Sequence, residues 1–386
     1  MKNHIPFNKP FIAGKELYNI AQAVIKHSHL AGDGYYTKLC IKWLEKRLMC
    51  KKVLLTHSCT AALEMAAILA DIKPGDEIIM PSFTFVSTAN AFVLRGGIPV
   101  FIDIRPDTLN IDETKITNAI TEKTKVIVPV HYAGIPCAMD KIMEIAKKYK
   151  LIVIEDAAQA MLSSYNNKYL GTIGDFGTLS FHETKNIISG EGGALLINNK
   201  QFIERAEIIW EKGTNRKQFF KGQVDKYTWV DIGSSFLPSE MTAAFLYAQL
   251  EQAETIIKKR LDIYKQYHNL LKPLEEKGII KTAYVNYNTE IHNGHIFYII
   301  TQNNYERTNL INYLNKANIH CVFHYIPLHS SPAGKKFGKV YGNMDTTDNF
   351  SNRILRLPLY FEMSVNDVKK VANTVIKFYQ NIIRNP

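Results

Sequence analysis

Cysteines are few in this sequence of 386 residues, and their arrangement excludes the usual cysteine-based sites. The five of them, at positions 40, 50, 59, 137 and 321, are odd in number and scattered, without a Cys-x-x-Cys pair. That pair is what zinc sites and redox disulfides commonly use. We therefore expect reduced thiols and no metal centre.

A long apolar run is also missing. No stretch approaches the ~20 residues of a membrane span, and the first ten residues lack the apolar core of a secretion signal. We therefore expect no membrane insertion and a cytoplasmic location. Repeats and low-complexity tracts are absent, and 46% hydrophobic with 22% charged residues is ordinary for a globular protein. A chain of this length has room for two domains.

Positive charge is in excess but is not concentrated in one tract. Lys and Arg number 47 against 36 Asp and Glu, which gives a net charge of +11. Such a charge favours binding to anionic partners, which include nucleic acid, an anionic membrane surface and a phosphorylated small substrate. The basic residues form only short groups, such as residues 258–260, which are typical of solvated helix faces. We therefore expect no nucleic-acid partner.

What the chain does contain is an alternation of strands and helices. Short strands are predicted at residues 53–55, 78–80, 100–103, 125–130, 151–154, 178–181 and 194–197, with helices between them. Helix 139–149 illustrates the pattern, because Met139, Ile142, Met143 and Ala146 follow the three-and-four spacing of one buried stripe. This alternation predicts an α/β fold with a mainly parallel central sheet that is covered on both faces.

The last third of the chain is predicted to form a smaller C-terminal α/β domain. Residues 239–271 have the pattern of one long helix that ends near Pro273, and we place the domain boundary near residue 255. The predicted domains are therefore residues 1–255, with an N-terminal arm, and residues 256–386. The second would contain strands 296–301 and 321–326 and helices 305–317 and 365–383.

Lys185 and Asp156 are the strongest candidates for chemistry. Asp156 closes the apolar run 151–156, and Lys185 follows the next predicted strand. A lysine amine forms a Schiff base with the aldehyde of pyridoxal 5'-phosphate (PLP), and a carboxylate pairs with its pyridinium nitrogen. Alone, a lysine is typically a solvated surface residue and a strand-end Asp a turn or cap residue. Their order within one strand and helix pattern favours a PLP site.

A strand-to-helix turn further upstream is a candidate phosphate site. The amides of Cys59, Thr60 and Ala61 would point from the helix start toward an anion. A plain Ser or Thr cap is the alternative, and these residues taken alone favour it. Ser180 ends a strand and is placed to add a hydroxyl to the same site.

Two further side chains are candidates for contact with a flat ring. Phe85 lies at the mouth of a strand and is suited to stacking on a pyridine, although Phe83 and Phe85 could equally be core residues. Gln159 lies near enough to Asp156 to hydrogen-bond a ring hydroxyl, and a surface glutamine is the alternative.

Five short motifs together resemble the DegT/DnrJ/EryC1/StrS family of sugar aminotransferases. They are residues 58–63 (SCTAAL), 74–81 (PGDEIIMP), 155–159 (EDAAQ), 180–185 (SFHETK) and 190–193 (GEGG). The resemblance extends over nearly the whole chain. It implies a PLP-dependent transferase type I (aspartate aminotransferase-like) fold, and a homodimer with its active site at the subunit interface.

The resemblance also implies a role for each candidate cofactor residue. Lys185 would form the Schiff base, Asp156 would pair with the ring nitrogen and Gln159 would contact the ring hydroxyl. The other implied contacts are Thr60, Ala61 and Ser180 with the phosphate, and Phe85 with the ring. Cys59 stands where many relatives have Gly, and Ser235 stands where many send an Asn to the cofactor phosphate of the neighbouring subunit.

The implied reaction moves an amino group from L-glutamate to C4 of dTDP-4-dehydro-6-deoxy-D-glucose. This substrate follows from the similarity of residues 83–96, 211–216 and 323–329 to one member of the family. Candidate substrate contacts are Lys212, Arg216, Tyr325 and His329, of which Lys212 and Arg216 could instead form surface ion pairs.

Three alternatives remain open at this point. One is amination of another nucleotide keto-sugar, or of C3. Another is the related sugar dehydratase, which has a histidine at the lysine position, so the presence of Lys185 argues against it. The third is a noncatalytic regulator or nucleic-acid binder on the same scaffold.

Overall fold

A computed structural model describes residues 4–384 and is built around one large sheet. The strands are β1 (Lys52–Thr56), β2 (Glu77–Pro81), β3 (Ile98–Ile102), β4 (Thr124–Ile127), β5 (Ile152–Asp156), β6 (Ser164–Tyr165), β7 (Lys168–Tyr169), β8 (Phe176–Ser180), β9 (Gly193–Ile197), β10 (Lys281–Thr282), β11 (Glu290–Ile291), β12 (Phe297–Ile300), β13 (Lys339–Val340) and β14 (Ile354–Leu357). Eight of them form this sheet in the order β1-β9-β8-β5-β4-β2-β3-β13.

The large sheet is mainly parallel, as the sequence predicts. The pairs β8–β5, β5–β4, β4–β2, β2–β3 and β3–β13 run parallel, whereas β9 is antiparallel to both of its neighbours, β1 and β8. Because β1, β2, β4, β5 and β8 point the same way, their carboxyl ends lie along one edge. That edge is where open α/β sheets bind ligands.

Helices cover both faces of this sheet. The α-helices of residues 4–384 are α1 (Glu16–Ile25), α2 (Tyr35–Leu48), α3 (Cys59–Leu69), α4 (Val86–Val93), α5 (Glu113–Ala119), α6 (Met139–Tyr149), α7 (Ile203–Trp210), α8 (Arg216–Phe220), α9 (Glu240–Glu251), α10 (Ala253–Glu276), α11 (Asn304–Lys316), α12 (Pro332–Phe337), α13 (Asp345–Arg353) and α14 (Val365–Arg384). Leu54 packs into one core cluster while Val53 and Leu55 pack into another. Successive residues of β1 are therefore buried on opposite faces, which explains why the strands are continuously apolar.

The predicted amphipathic helix 139–149 is confirmed as α6. Met139, Ile142 and Ala146 are buried, as the spacing predicts, and Met143 is half-buried. The predicted strands of the large sheet are likewise confirmed, with ends that differ by a few residues.

Two local predictions are wrong. Residues 239–271 form two helices rather than one, because the chain leaves helical geometry at Gln252 between α9 and α10. Pro273 lies within the last turn of the second helix, which ends at Glu276, so the predicted end near this proline is confirmed to within a few residues. Residues 321–326 form no strand, and only Val322 makes an isolated bridge, to Arg356.

The C-terminal part contains a second sheet, of β10, β12 and β14, whose strands are antiparallel. Helices α10, α11 and α14 pack against it through a separate apolar cluster. The chain also returns to the large sheet, where β13 pairs with β3. The domain boundary near residue 255 stays a prediction. No helix within residues 4–384 has the length and apolarity that a membrane span requires.

Candidate active site

A cavity of about 520 Å³ lies at the carboxyl edge of the large sheet. Eight of the predicted site residues line it: Cys59, Thr60, Phe85, Asp156, Gln159, Ser180, Lys185 and Tyr325. Residues from the N-terminal segment and from β14 close its other side, among them Phe7 and Arg356. The fold therefore brings together groups that lie as far apart in the sequence as Phe7 and Leu359.

Lys185 lies in the loop after β8, where its backbone amide donates a hydrogen bond to the His182 carbonyl (2.9 Å). Burial lowers the pKa of its amine below the ordinary value of 10.5. Cys59 and Asp156 oppose that shift, and the charge of Arg356 adds to it. A lowered pKa increases the fraction of neutral amine, which is the nucleophilic form.

Asp156 ends β5 and is buried. One carboxylate oxygen accepts a hydrogen bond from the Thr88 hydroxyl (2.7 Å), and the other accepts one from the Ala158 amide (3.1 Å). The Thr88 hydroxyl lies 2.8 Å from the Thr84 hydroxyl, which can donate to it in turn. An ionised carboxylate has about four acceptor positions, so each oxygen can still accept from a protonated ring nitrogen.

The residue before Asp156 anchors the end of the strand. Glu155 is fully buried, and its carboxylate accepts hydrogen bonds from the amides of Gly171 (2.9 Å), Ile173 (2.7 Å) and Gly174 (2.7 Å). The His131 ring lies 2.9 Å from the same carboxylate. A buried carboxylate with this many donors fixes the backbone that carries Asp156.

The first turn of α3 retains donors for an anion. The Ser58 hydroxyl caps this helix by accepting a hydrogen bond from the Ala61 amide (3.1 Å), and the Ala62 amide donates to the Ser58 carbonyl. The amides of Cys59 and Thr60 are the remaining donors of that turn. The Thr60 side chain bonds Ser87 (2.7 Å). The Ser cap weighed in the sequence is therefore confirmed, and the phosphate site stays a prediction for which two amides of the same turn are available.

Gly193 allows the start of α3 to approach the sheet. A Cβ atom at this position would lie 2.4 Å from the Ser58 carbonyl carbon and 2.5 Å from the Cys59 nitrogen. Only glycine fits so close to another backbone. Ser180, opposite Gly193 in the β8–β9 pair, places its hydroxyl at the same end of the sheet.

Gln159 and two aromatic rings occupy the remaining wall. The Gln159 side chain accepts from the Ala133 amide (2.7 Å) and donates to the Tyr325 hydroxyl (2.9 Å). The Tyr325 ring stacks on His324, with centroids 3.8 Å apart. Phe85 is 56% exposed and leaves a ring face free, whereas Phe83 is buried as a core residue.

Five of the predicted residues do not line this cavity. Ala61 is buried and its amide is bonded to the Ser58 cap, while Ser235 is exposed and pairs with Glu211. Lys212 is exposed, and Arg216 lies 3.6 Å from Glu211 and over the Phe220 ring. His329 contacts Ser82 (2.7 Å) and Asp348 (3.3 Å).

Sequence reasoning missed many residues that face the cavity, among them Thr88, Arg260, His295, His324 and Arg356. They come from separate elements and form no short motif. The signal that was available for Arg356 is its position as the single charged residue of the apolar strand β14. Burial lowers the pKa of His295 and that of His324 well below the usual range, so both rings are neutral.

Together these groups fit PLP. An amine with a lowered pKa, a buried carboxylate with free acceptor positions, two helix-start amides and an open aromatic face line one cavity. With the mainly parallel sheet, they define a PLP-dependent enzyme of the type I fold.

Comparison with known proteins gives the family. A model of the DegT/DnrJ/EryC1/StrS aminotransferase family matches residues 12–376, and the chain belongs to that family. It is 31% identical to the spore coat polysaccharide biosynthesis protein SpsC of Bacillus subtilis, covering 97% of each chain. It is 30% identical to GDP-perosamine synthase of Escherichia coli O157:H7, covering 98% of this chain and 99% of that protein.

Solved structures agree with this assignment. The PLP form of the putative sugar aminotransferase Spr1654 from Streptococcus pneumoniae superimposes with a TM-score of 0.89 and 26% identity. The match covers 98% of this chain and 100% of that one. The protein is thus a PLP-dependent sugar aminotransferase.

Proposed function

We propose that this enzyme transfers the amino group of L-glutamate to C4 of dTDP-4-dehydro-6-deoxy-D-glucose. The products are dTDP-4-amino-4,6-dideoxy-D-galactose and 2-oxoglutarate. The main observation in support of amino transfer is that Lys185 and Asp156 line the same cavity. The related dehydratases have no lysine at the position of Lys185.

The sugar assignment is supported by similarity to one member of the family. Residues 83–96, 211–216 and 323–329 closely resemble the dTDP-4-amino-4,6-dideoxygalactose transaminase of enterobacterial common antigen synthesis. Phe85 of the first segment and Tyr325 of the third line the cavity. Amination of a different nucleotide keto-sugar, or of C3, is the competing possibility.

Lys185 has two tasks in this proposal. Bound PLP supplies an electron sink for the bond that breaks at the amino-bearing carbon. Lys185 removes the α-proton of glutamate in the first half-reaction and returns a proton to C4 of the sugar in the second. Asp156 keeps the ring nitrogen protonated, and Gln159 orients the ring through its hydroxyl.

The phosphate contacts follow from the start of α3. We assign the Cys59 and Thr60 amides, with the Ser180 hydroxyl, to the cofactor phosphate, and Phe85 to the ring face. Ala61 belongs to this assignment through its position in the same turn, although its amide already bonds Ser58.

The substrate contacts are proposed at the edges of the cavity. Tyr325 faces it directly, and His329 follows four residues later, bonded to Ser82. Lys212 and Arg216 are exposed cations outside the cavity of their own chain. We assign them to the nucleotide diphosphate, which carries the opposite charge.

The enzyme is proposed to act as a homodimer. Ser235 is exposed and does not line the cavity of its own subunit, which is compatible with a residue that serves the neighbouring subunit. Exposed apolar side chains such as Leu17 (76%) and Trp229 (78%) provide surface for such an interface.

A substrate panel tests the proposal. Purified protein with PLP would be incubated with ¹⁵N-glutamate and a set of 4-keto and 3-keto nucleotide sugars, and the products analysed by NMR. We expect ¹⁵N at C4 of the dTDP sugar with the galacto configuration, and none with Lys185→Arg. The sugar assignment would be refuted by ¹⁵N at C3 or by a product with the gluco configuration. It would also be refuted if the enzyme aminated other sugars of the set but not dTDP-4-dehydro-6-deoxy-D-glucose.

A further inference from the structure

His295 is a buried polar residue of the cavity wall to which the proposed reaction gives no task. It lies in the short segment before β12 and is only 7% exposed, and its side chain lines the cavity that also holds Lys185. Buried polar atoms normally have a hydrogen-bond partner. Within residues 4–384, only one of the two ring nitrogens of His295 has one.

The bonded nitrogen fixes the tautomer of this ring. Nδ1 lies 2.9 Å from the side-chain oxygen of Asn186, whose side-chain nitrogen donates to the Asn293 carbonyl (2.9 Å). The bond to Asn293 needs the amide nitrogen, so Asn186 presents its oxygen to the histidine, and an amide oxygen only accepts. Nδ1 therefore carries the proton. Burial lowers the pKa of His295 well below the usual range, so the ring is neutral and its Nε2 is a free acceptor.

Neighbouring contacts hold the ring in this orientation. Arg260 of α10 donates to the His295 carbonyl (2.6 Å). The Asn293 side chain donates to the Gln159 carbonyl (2.9 Å), and Asn186 joins the segment to the loop of the reactive lysine. Segment 293–295 is thus bonded to α10, to the lysine loop and to the turn that carries Gln159. The free nitrogen of His295 therefore has a fixed position.

Another neutral histidine of the cavity does not present a defined acceptor. Nδ1 of His324 lies 2.5 Å from the Tyr132 hydroxyl, and the His324 ring stacks on Tyr325. A tyrosine hydroxyl can either donate or accept, so this contact leaves the tautomer of His324 open.

The position of His295 indicates which group its free nitrogen serves. Asn186 directly follows Lys185 in the chain, so the bond between Asn186 and His295 sets the ring against the lysine loop. An amine that takes up a proton must turn its lone pair toward the reacting carbon, and its N–H bonds then need acceptors elsewhere. The carboxylate of Asp156 is assigned to the cofactor ring nitrogen. Nε2 of His295 is the neutral acceptor that remains for the amine.

We propose that His295 is a positioning residue whose Nε2 accepts a hydrogen bond from the Lys185 amine and so directs the lone pair of that amine toward the proton to be moved. The inference rests on the proposed role of Lys185 as the carrier of this proton. Asn186 contributes indirectly, because it holds His295 in the tautomer with a free Nε2. The bond is made while Lys185 is free of the cofactor, which is the state in which it moves protons.

Two substitutions of His295 separate the role of the free nitrogen from that of the bonded one. In His295→Asn the amide nitrogen lies near the position of Nδ1, so the bond to Asn186 is kept while the acceptor is lost. In His295→Gln the amide oxygen reaches the position of Nε2, so the acceptor is kept while the bond to Asn186 is lost. The glutamate half-reaction of each PLP-loaded variant is followed by the cofactor absorbance in the absence of sugar.

We expect His295→Asn to lower the maximal rate of this half-reaction by about 3- to 10-fold, the loss typical of one neutral hydrogen bond. The half-saturating glutamate concentration should stay unchanged, and His295→Gln should recover most of the rate. Because the slowed step is the proton transfer, [2-²H]glutamate should give His295→Asn an isotope effect at least as large as that of the wild type. A smaller isotope effect, or a His295→Gln rate no higher than that of His295→Asn, would overturn the proposal.

¹⁵N NMR of histidine-labelled apoprotein tests the contact without cofactor or donor, and His295→Asn identifies the signals of this ring. We expect a protonated Nδ1 and an unprotonated Nε2 in the wild type. The Nε2 signal should shift in Lys185→Met, which removes the amine but keeps the length of the side chain. A protonated Nε2, or a signal that Lys185→Met leaves unmoved, would overturn the proposal.

His292→Asn is the matched control. His292 is buried three positions earlier and does not line the cavity, and its Nδ1 accepts from the Gly294 amide (3.2 Å), a bond that the asparagine oxygen can replace. This variant should keep the wild-type rate, and a loss like that of His295→Asn would overturn the proposal. An effect of His295→Asn confined to the sugar half-reaction would assign Nε2 to a sugar hydroxyl and overturn it as well. Failure of the wild type to react with glutamate would instead refute the proposed donor, and the NMR result would not depend on it.

Discussion

Lys185 and Asp156 line one cavity because β5 and β8 are parallel neighbours whose carboxyl ends meet at one sheet edge. Each residue is ordinary in isolation. The surroundings change that: burial favours the neutral amine of Lys185, and hydrogen bonds from Thr88 and Ala158 fix the carboxylate of Asp156. Reactivity at this scale is therefore a property of the neighbours of each group.

The first residue-scale prediction concerns pH. Because the pKa of Lys185 is lowered, the neutral amine is already populated at pH values where an ordinary lysine is charged. The rate at which apoprotein takes up PLP should therefore rise with pH and reach half its maximum below pH 10.5, the ordinary lysine value. Nα-acetyl-lysine, measured in parallel, gives the reference curve. Coincident curves would show that the site does not activate Lys185.

The second residue-scale prediction concerns the Thr88 hydroxyl, which donates a hydrogen bond to Asp156 and orients it. Thr88→Val keeps the shape of the side chain but removes the donor, a loss of about 1.5–3 kcal/mol for a bond to a charged group. We expect the glutamate half-reaction to slow by about tenfold or more, with a small change in melting temperature. Thr88→Ser retains the hydroxyl and should restore most of the rate. Equal rates for the valine variant and the wild type would exclude this positioning role.

At the scale of elements, the strands of the large sheet could be predicted because they are buried on both faces and so are continuously apolar. The amphipathic stripe of α6 was equally clear. The break between α9 and α10 at Gln252 could not be predicted, since no glycine or proline marks it. Residues 321–326 have a strand-like composition, but only Val322 makes a bridge, and His324 and Tyr325 line the cavity instead.

The prediction at the scale of elements concerns Gly193. Gly193→Ala would press a methyl group against the Ser58 and Cys59 backbone and displace the first turn of α3. We expect a loss of about 1–3 kcal/mol in the free energy of unfolding and PLP affinity reduced by at least about tenfold.

Gly190→Ala is the matched control for that variant. Its Cβ would meet no atom within 4 Å, although its φ of +81° adds a backbone strain of about 1–2 kcal/mol. It should therefore cost stability without weakening PLP binding. Full PLP affinity in Gly193→Ala would contradict the close-approach explanation.

At the scale of the whole molecule, the exposed face of α1 provides a test of the proposed dimer. Leu17 is 76% and Ile25 78% exposed on this helix. Light scattering should give twice the mass of one chain for the wild type. Leu17→Lys combined with Ile25→Lys should shift the protein toward monomer, because it places charges in an apolar interface. Tyr305→Lys, at a similarly exposed position of α11, should leave the dimer intact; a monomeric wild type would refute the proposal.

Eight of the residues that line the cavity could be predicted from the sequence, which is less than a third of its wall. Lys185, Asp156, Gln159 and Thr60 lie at strand ends or helix starts, where local pattern and motif coincide. Arg356, His295 and His324 reach the cavity only because the C-terminal sheet packs against the large one. No local pattern encodes that packing, so only the assembled fold could show it.

The most direct test of the account is the identity of the lysine that is joined to PLP. The holoprotein would be reduced with borohydride, digested and examined by mass spectrometry. The account predicts a phosphopyridoxyl group on Lys185, and its absence from Lys185→Arg treated in the same way. A modification confined to any other lysine, or a Lys185→Arg variant with undiminished amino transfer, would contradict it.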